Sequence, residues 1–120
     1  MSAKQSAIDL KHLHQYTCGD VQMEREIYSL FREQVRVWLK LLIADGDTEG
    51  WAAAAHSLKG SARGIGAHQL AAACEAAEAV IRAGTPARSV AAAQVREQVN
   101  AVIHFIDKRE YKLQIQDLRK

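Results

Sequence analysis

Apolar side chains recur along the chain at steps of three and four residues, which places them on one face of an α-helix. The spacing is helical rather than strand-like from one end of the chain to the other. The stripes comprise Ile8, Leu10 and Leu13; Ile27, Leu30, Phe31, Val35, Trp38, Leu41 and Leu42; Trp51, Ala55, Leu58, Ala62 and Ile65; and Val95, Val99, Val102, Ile103 and Ile106. We expect each stripe to face a shared core.

Polar residues and glycines mark the ends of the first helices. Residues 17–20 predict a turn, in which Asp20 is a good N-cap because its carboxylate can accept backbone amide hydrogens from the next helix. Residues 45–48 end that helix and cap the following one, which Gly64 and Gly66 bring to its own end. These signals predict two long helices after a short leading one.

Two more helices are predicted in the second half of the chain. The first runs from about Ala67 to Ala83, with Gly84 as its C′ residue. The second starts with Thr85 as N-cap and Pro86 at the first helical position. Its polar continuation, residues 108–120, is open to two interpretations, a helix extension or a frayed tail.

Short turns between long amphipathic helices make neighbouring helices antiparallel. We therefore predict an all-α fold, an up-and-down antiparallel four-helix bundle with a short additional N-terminal helix. At 120 residues the chain has room for a single domain, which we assign to residues 1–120 with a core of about 8–107.

Composition limits the partners that the chain can have. Its 16 basic and 14 acidic residues give a net charge of +2, too balanced for binding nucleic acid or an anionic membrane by charge alone. Neither a signal peptide's apolar stretch nor a membrane-spanning run is found, and Cys18 and Cys74 lack metal-ligand spacing. We expect a cytoplasmic monomer with no metal, nucleic-acid or membrane partner.

The segment 51–66 departs from a plain bundle helix. On a helical wheel, the core-facing arc holds Trp51, Ala54, Ala55, Leu58, Ala62 and Ile65. The opposite face holds His56, Lys59, Gly60 and Arg63, together with Ala52, Ala53 and Ala67. A glycine inside a helix costs roughly 1 kcal/mol relative to alanine. That loss is explained if the missing side chain clears space beside His56.

This outward face suits the transfer of an anionic group. A histidine near neutral pH is largely unprotonated, so a ring nitrogen of His56 can act as a nucleophile. Lys59 and Arg63 can stabilise the negative charge of a phosphoryl group. Each residue alone is more often an ordinary solvated side chain, but their combination opposite the core favours phosphoryl transfer.

The string AHSLKGSARGIGA, residues 55–67, resembles the signature of histidine-containing phosphotransfer (HPt) domains, H-x-[LI]-K-G followed by five residues and a glycine. The fixed positions that match are His56, Leu58, Lys59, Gly60 and Gly66. The resemblance extends more loosely over about residues 8–107.

The resemblance implies a carrier in a phosphorelay. Nε2 of His56 would accept a phosphoryl group from a receiver-domain aspartyl phosphate and pass it to another receiver aspartate. Lys59 would neutralise phosphoryl oxygens, Gly60 would admit the aspartate, and Gly66 would turn the chain into the next helix. A phosphate role for Arg63 comes from the wheel alone. The implied partners are response-regulator receiver domains and a hybrid histidine kinase.

The chain is not expected to be a kinase in its own right. It has no P-loop or other glycine-rich nucleotide motif, so the phosphoryl group would come from a partner. The chain would need no cofactor, because the Mg²⁺ of such transfers would come with the receiver.

Members of the family often place a Gln or Glu 22 residues after the histidine, a position that Glu78 occupies here. Its carboxylate would accept the Nδ1 hydrogen of His56 and leave Nε2 unprotonated. An ordinary surface carboxylate is an equal alternative for Glu78. Glu75, one turn earlier, is a weaker candidate for the same role.

Three other functions are alternatives to the carrier. The first is a helical adaptor that binds receiver or kinase domains without ever being phosphorylated. The second is a small metal-binding or ligand-binding bundle, for which no ligand set is evident. The third is DNA binding, for which no Lys/Arg stripe stands out.

Overall fold

The structure, a computed structural model, describes residues 6–119, and in that range it contains five α-helices and no strand. They are α1 (Leu10–Thr17), α2 (Val21–Leu39), α3 (Thr48–Ile65), α4 (His68–Ala79) and α5 (Thr85–Leu118). The four longer helices close a ring, because α2 contacts α3, α3 contacts α4, α4 contacts α5, and α5 returns to α2. This confirms the predicted all-α bundle, with α1 as the short additional helix.

Aspartate side chains cap the starts of α2 and α3. Asp20 accepts the backbone amide hydrogen of Met23 at 3.1 Å, which confirms the predicted cap. Asp47 accepts the amide hydrogens of Glu49 and Gly50 at 3.2 and 3.3 Å. Each cap satisfies amide groups that have no partner inside the helix, so both helices begin at fixed residues.

The fourth helix ends earlier than predicted. α4 stops at Ala79 rather than at Ala83, so the prediction that Gly84 is its C′ residue is wrong. After Ala79 the backbone forms tighter turns, in which the Ile81 amide donates to the Glu78 carbonyl at 3.3 Å and the Ala83 amide donates to the Val80 carbonyl at 3.0 Å. Arg88 of α5 is bonded to this turn, because its Nε donates a hydrogen bond to the Ile81 carbonyl at 3.0 Å.

The start of α5 also differs from the prediction. Thr85 is the first helical residue, and the cap position falls to Gly84, which makes no side-chain cap. Gly84 has a φ of +92°, a conformation that glycine adopts far more readily than threonine. The predicted threonine cap is therefore wrong, although Pro86 does lie in the first turn.

The inward face of α3 carries much of the core. All six predicted positions are buried, namely Trp51, Ala54, Ala55, Leu58, Ala62 and Ile65. The indole nitrogen of Trp51 donates to the Ala77 carbonyl at 2.8 Å, which ties α3 to α4. The opposite face of α3 must consequently point outward.

Two residues of the predicted α2 stripe are not in the core. Leu30 is 58% exposed and Leu41 is 44% exposed. Leu41 lies beyond the last helical residue, Leu39, so helical periodicity no longer sets its direction. Leu30 lies at the edge where α2 borders a groove against α3. In α5 the stripe is buried at Val95, Val99, Val102 and Ile106, whereas Ile103 is only partly buried.

The segment after residue 107 continues α5 as far as Leu118, with Leu113 buried. Glu24 of α2 anchors it, because its carboxylate accepts hydrogen bonds from Arg109 at 2.7 and 3.1 Å and another from the Tyr28 hydroxyl. Burial alone would raise the pKa of Glu24, but these hydrogen bonds outweigh it and lower the pKa. Of the two interpretations, the described tail is a helix extension. Along residues 6–119 no helix is long and apolar enough to cross a membrane.

Candidate functional site

His56 lies near the middle of α3, on the face turned away from the core. Its side chain is 78% exposed. The buried stripe on the other face fixes the rotation of the helix, and the imidazole therefore projects where the helical wheel predicts it. A ring nitrogen in this position is open to a partner macromolecule.

A carboxylate of α4 lies between His56 and Lys59. Oε1 of Glu78 accepts a hydrogen bond from Nζ of Lys59 at 2.5 Å, and Oε2 lies 3.9 Å from Nδ1 of His56. The second distance is too long for a hydrogen bond, so the bond expected between Glu78 and Nδ1 is not formed here. The carboxylate therefore lies beside the Nδ1 edge of the ring without a direct bond to it.

The second cation of the site is also paired with α4. Arg63 donates a hydrogen bond to Glu75, and both side chains are more than half exposed. Glu75, one turn before Glu78 on α4, is therefore paired with Arg63 and does not contact His56. The face is therefore nearly neutral, since the two cations of α3 are paired with two carboxylates of α4.

Open space lies beside the imidazole. Gly60 and Gly64 are exposed, and a Cβ added to either would meet no heavy atom within 4 Å. The helix therefore does not need glycine at these positions for its own packing. This arrangement agrees with Gly60 clearing room for an incoming group.

One residue of the predicted small-residue face lies elsewhere. Ala53 is exposed and Ala52 partly buried, but Ala67 is fully buried. The helical wheel does not extend to Ala67, because the helix ends at Gly66 and the chain turns inward there. Placing Ala67 on the outward face was therefore wrong.

Gly66 ends α3 with a φ of +81°, and its amide bonds back to the Arg63 carbonyl at 3.2 Å. Its own carbonyl accepts the Asp9 amide hydrogen at 2.8 Å, which brings the start of α1 to this corner. Asp9 also accepts a hydrogen bond from Nε2 of His68 at 3.1 Å if that nitrogen is protonated. The sequence predicts the turn but not this docking of α1.

A groove of about 630 Å³ runs between α2 and α3 beside the site. Gly60 and Gly64 form part of its floor. Tyr16 of α1 and Leu30 of α2 line its other side, and they are 62% and 58% exposed. The groove therefore combines apolar surface with the open face of α3, a combination that sequence periodicity missed because it assigned Leu30 to the core.

The described residues, 6–119, include no group of three or more His, Cys, Asp or Glu side chains that could hold a metal ion. What the site does offer is an exposed ring nitrogen, a lysine ammonium one turn along the helix, and a carboxylate that contacts the ammonium. These are the groups that a nucleophilic transfer of an anion requires.

Comparison with known proteins agrees with this geometry. The family model of the Hpt domain matches residues 25–118, a range that includes α3 and α4. The crystal structure of the histidine phosphotransferase ShpA from Caulobacter crescentus is similar, with 30% sequence identity and a TM-score of 0.78. The similarity covers 94% of this chain and 99% of that chain. No curated protein sequence matches.

Proposed function

The chain belongs to the Hpt domain family, and from this premise we propose that His56 is the residue on which it carries a phosphoryl group. The protein is a phosphorelay signalling intermediate. The assignment of His56 rests above all on its exposure, because a buried imidazole could not exchange phosphate with several partners. At 78% exposed, beside the open position of Gly60, the ring is accessible.

The transfer needs only one new bond on this chain. The lone pair of Nε2 of His56 attacks the phosphorus of an aspartyl phosphate on the receiver. The P–O bond breaks, its electron pair returns to the aspartate carboxylate, and an N–P bond forms. The ring then carries a positive charge with its hydrogen on Nδ1, which the carboxylate of Glu78 at 3.9 Å stabilises. Transfer to a second receiver reverses these steps.

The cations of α3 are proposed to stabilise the phosphoryl oxygens. Lys59 lies one helical turn after His56, within reach of a group on Nε2. Arg63 lies one turn further, and its pairing with Glu75 at a largely exposed site leaves it free to rearrange. Gly60, between them on the same face, admits the receiver's aspartate.

The receiver is proposed to dock on the groove between α2 and α3. Tyr16 and Leu30 offer apolar surface, while Gly60 and Gly64 let a partner backbone approach closely. An exposed apolar patch next to a reactive residue is typical of a protein interaction site. A hybrid histidine kinase would reach the same face through its own receiver domain.

The chain is proposed to be a phosphocarrier without ATP-dependent kinase activity of its own. Its sequence has no phosphate-binding loop, so each transfer depends on a partner. We place the Mg²⁺ of the reaction on the receiver and assign no cofactor to this chain. The free thiols of Cys18 and Cys74 and the near-neutral charge agree with a cytoplasmic monomer that binds neither nucleic acid nor membrane.

The test is to mix the protein with a receiver domain phosphorylated with radioactive phosphate. We expect acid-labile, base-stable label on the wild type and none on His56→Gln. His104→Gln, which changes an exposed histidine of α5, is the matched control and should be labelled normally. Unchanged labelling of His56→Gln would reject the assignment of the site.

The same variant distinguishes the carrier from the adaptor. An adaptor would keep both receiver binding and signalling after His56→Gln. The carrier keeps binding but loses signalling. Binding can be measured by titration calorimetry, and signalling by phosphate reaching the second receiver in a reconstituted relay.

A further inference from the structure

The carboxylate of Glu78 is shared unequally between the lysine and the histidine of the site. It contacts Nζ of Lys59 at 2.5 Å but approaches Nδ1 of His56 only to 3.9 Å. We propose that Glu78 is a positioning residue that competes with the phosphoryl group for Lys59, and so makes the phosphorylated carrier a readier donor. The inference rests on the proposed phosphorylation of His56 and adds the control of that same site.

Before phosphorylation, Lys59 is committed to Glu78. The lysine side chain is 17% exposed and that of Glu78 is 32% exposed, so the pair is partly withdrawn from water. A direct charge-assisted hydrogen bond in such a place is stronger than an exposed surface pair. The ammonium of Lys59 is therefore held near His56, and the carboxylate of Glu78 already balances its positive charge.

A phosphoryl group on Nε2 changes this balance of charge. Phosphoryl oxygens bring between one and two negative charges close to the ammonium of Lys59, which is the nearest cation along α3. Lys59 has three donor hydrogens and can contact both anions, but its single positive charge is then divided between them. The phosphoryl group and Glu78 also repel each other. Both effects raise the free energy of the phosphorylated state.

Glu78 also has an effect of the opposite sign. Its charge stabilises the hydrogen on Nδ1 of His56, which favours the phosphorylated ring. That interaction acts over 3.9 Å to a ring that is mostly exposed, whereas the contact with Lys59 is direct and better shielded. Because Coulomb energy falls with distance and with solvent screening, the competition for Lys59 prevails.

The test is the equilibrium between this carrier and a receiver domain. We expect Glu78→Gln to raise the ratio of phosphorylated carrier to phosphorylated receiver by roughly threefold to tenfold, the range for one partly screened charge. Glu97→Gln, the same change at an exposed position on α5, is the matched control and should leave the ratio unchanged.

A double-mutant cycle shows whether Glu78 acts through Lys59. In a Lys59→Met background, only the direct repulsion of the phosphoryl group and the direct stabilisation of the Nδ1 hydrogen remain, and these two effects of Glu78 oppose each other. The effect of Glu78→Gln should therefore fall below about twofold. A purely structural role would leave the effect intact. NMR of the wild type supplies a readout without variants, since the Lys59 ammonium signal should shift when His56 is phosphorylated.

Two negative results have different meanings. If wild-type His56 takes no label, the proposed function fails. If the wild type is labelled but Glu78→Gln leaves the ratio unchanged or lowers it, the role of Glu78 is refuted while His56 remains the carrier. An effect that is equally large without Lys59, or a Lys59 signal that does not move, also overturns the inference.

Discussion

Replacing Gly60 by alanine separates the stability of the bundle from its proposed use. Gly60 lies inside α3, and an added Cβ would meet no heavy atom within 4 Å. Alanine is more favourable than glycine in a helix interior by about 1 kcal/mol, so Gly60→Ala should stabilise the fold by that amount. For a domain of this size the gain corresponds to a rise in Tm of roughly 3–6 °C.

A large side chain at the same position should slow phosphotransfer. Gly60→Leu places such a side chain one turn from His56, where the receiver is proposed to approach. If the interface tolerates overpacking no better than a core does, Gly60→Leu should raise the barrier to transfer by about 1–3 kcal/mol, which slows transfer roughly 5-fold to 160-fold. Gly50→Ala is the control in the first turn of α3, where a Cβ makes only ordinary contacts at 3.8 and 3.9 Å. It should leave transfer unchanged.

Urea unfolding monitored by circular dichroism measures the free energy of unfolding. Rapid mixing with a phosphorylated receiver, stopped at set times, measures the rate of phosphotransfer. Lower stability of Gly60→Ala would mean that the space is not open in the folded protein. A normal rate for Gly60→Leu would refute the idea that the receiver occupies that space.

Three further predictions concern the framework of the bundle. Gly66→Ala should lower the free energy of unfolding by about 2 kcal/mol or more in urea, because φ is +81° and the new Cβ would lie 2.9 Å from a backbone oxygen. Glu24→Gln should cost about 3 kcal/mol in the same assay, because Arg109 keeps its charge without a matching carboxylate. The folded-state pKa of Glu24 lies below its ordinary value of 4.5, so its contribution is present above that value and is lost as pH falls through the lower pKa; acid titration of the variant should lack this loss. Ellman's reagent should modify exposed Cys18 in the native protein but reach Cys74, whose pKa burial raises to about 12, only after unfolding.

The sequence predicts those features of the fold that depend only on residues close together in the chain. The Asp20 cap and the buried stripe that begins at Trp51 are set by residues close together in the sequence, and both were predicted correctly. The end of α4 was not, because the backbone leaves the helix after Ala79 for tight turns, one of which is bonded to Arg88 of the next helix. Helical periodicity and the position of Gly84 do not show such a contact between helices.

In the candidate site, too, the arrangement within one helix was predictable, but the contacts between two helices were not. A helical wheel places His56, Lys59 and Arg63 on one face, because all three belong to α3. It cannot supply the offset between α3 and α4, and that offset decides which carboxylate meets which cation. Matching steps on the two helices, with Glu75 and Glu78 opposite the two cations, were the available signal for the ion pairs.

The helical extension of α5 was also beyond local reasoning. Glu24 and Arg109 are 85 positions apart in the chain, and their contact carries no periodic pattern. The sequence gives no sign that Glu24 is buried, because a glutamate at its position in α2 is expected on the polar surface. Only the packing of α2 against α5 shows why residues 108–118 stay helical.

Phosphorylation of His56 is tested most directly by nitrogen NMR of protein whose five histidine rings carry ¹⁵N, recorded before and after phosphorylation by a receiver. The Nε2 signal of His56 should move and couple to phosphorus, while the rings of the other four histidines should keep their signals. Phosphorus coupling at any other histidine, or none at His56 in a sample that has taken up phosphate, would contradict the assignment of His56.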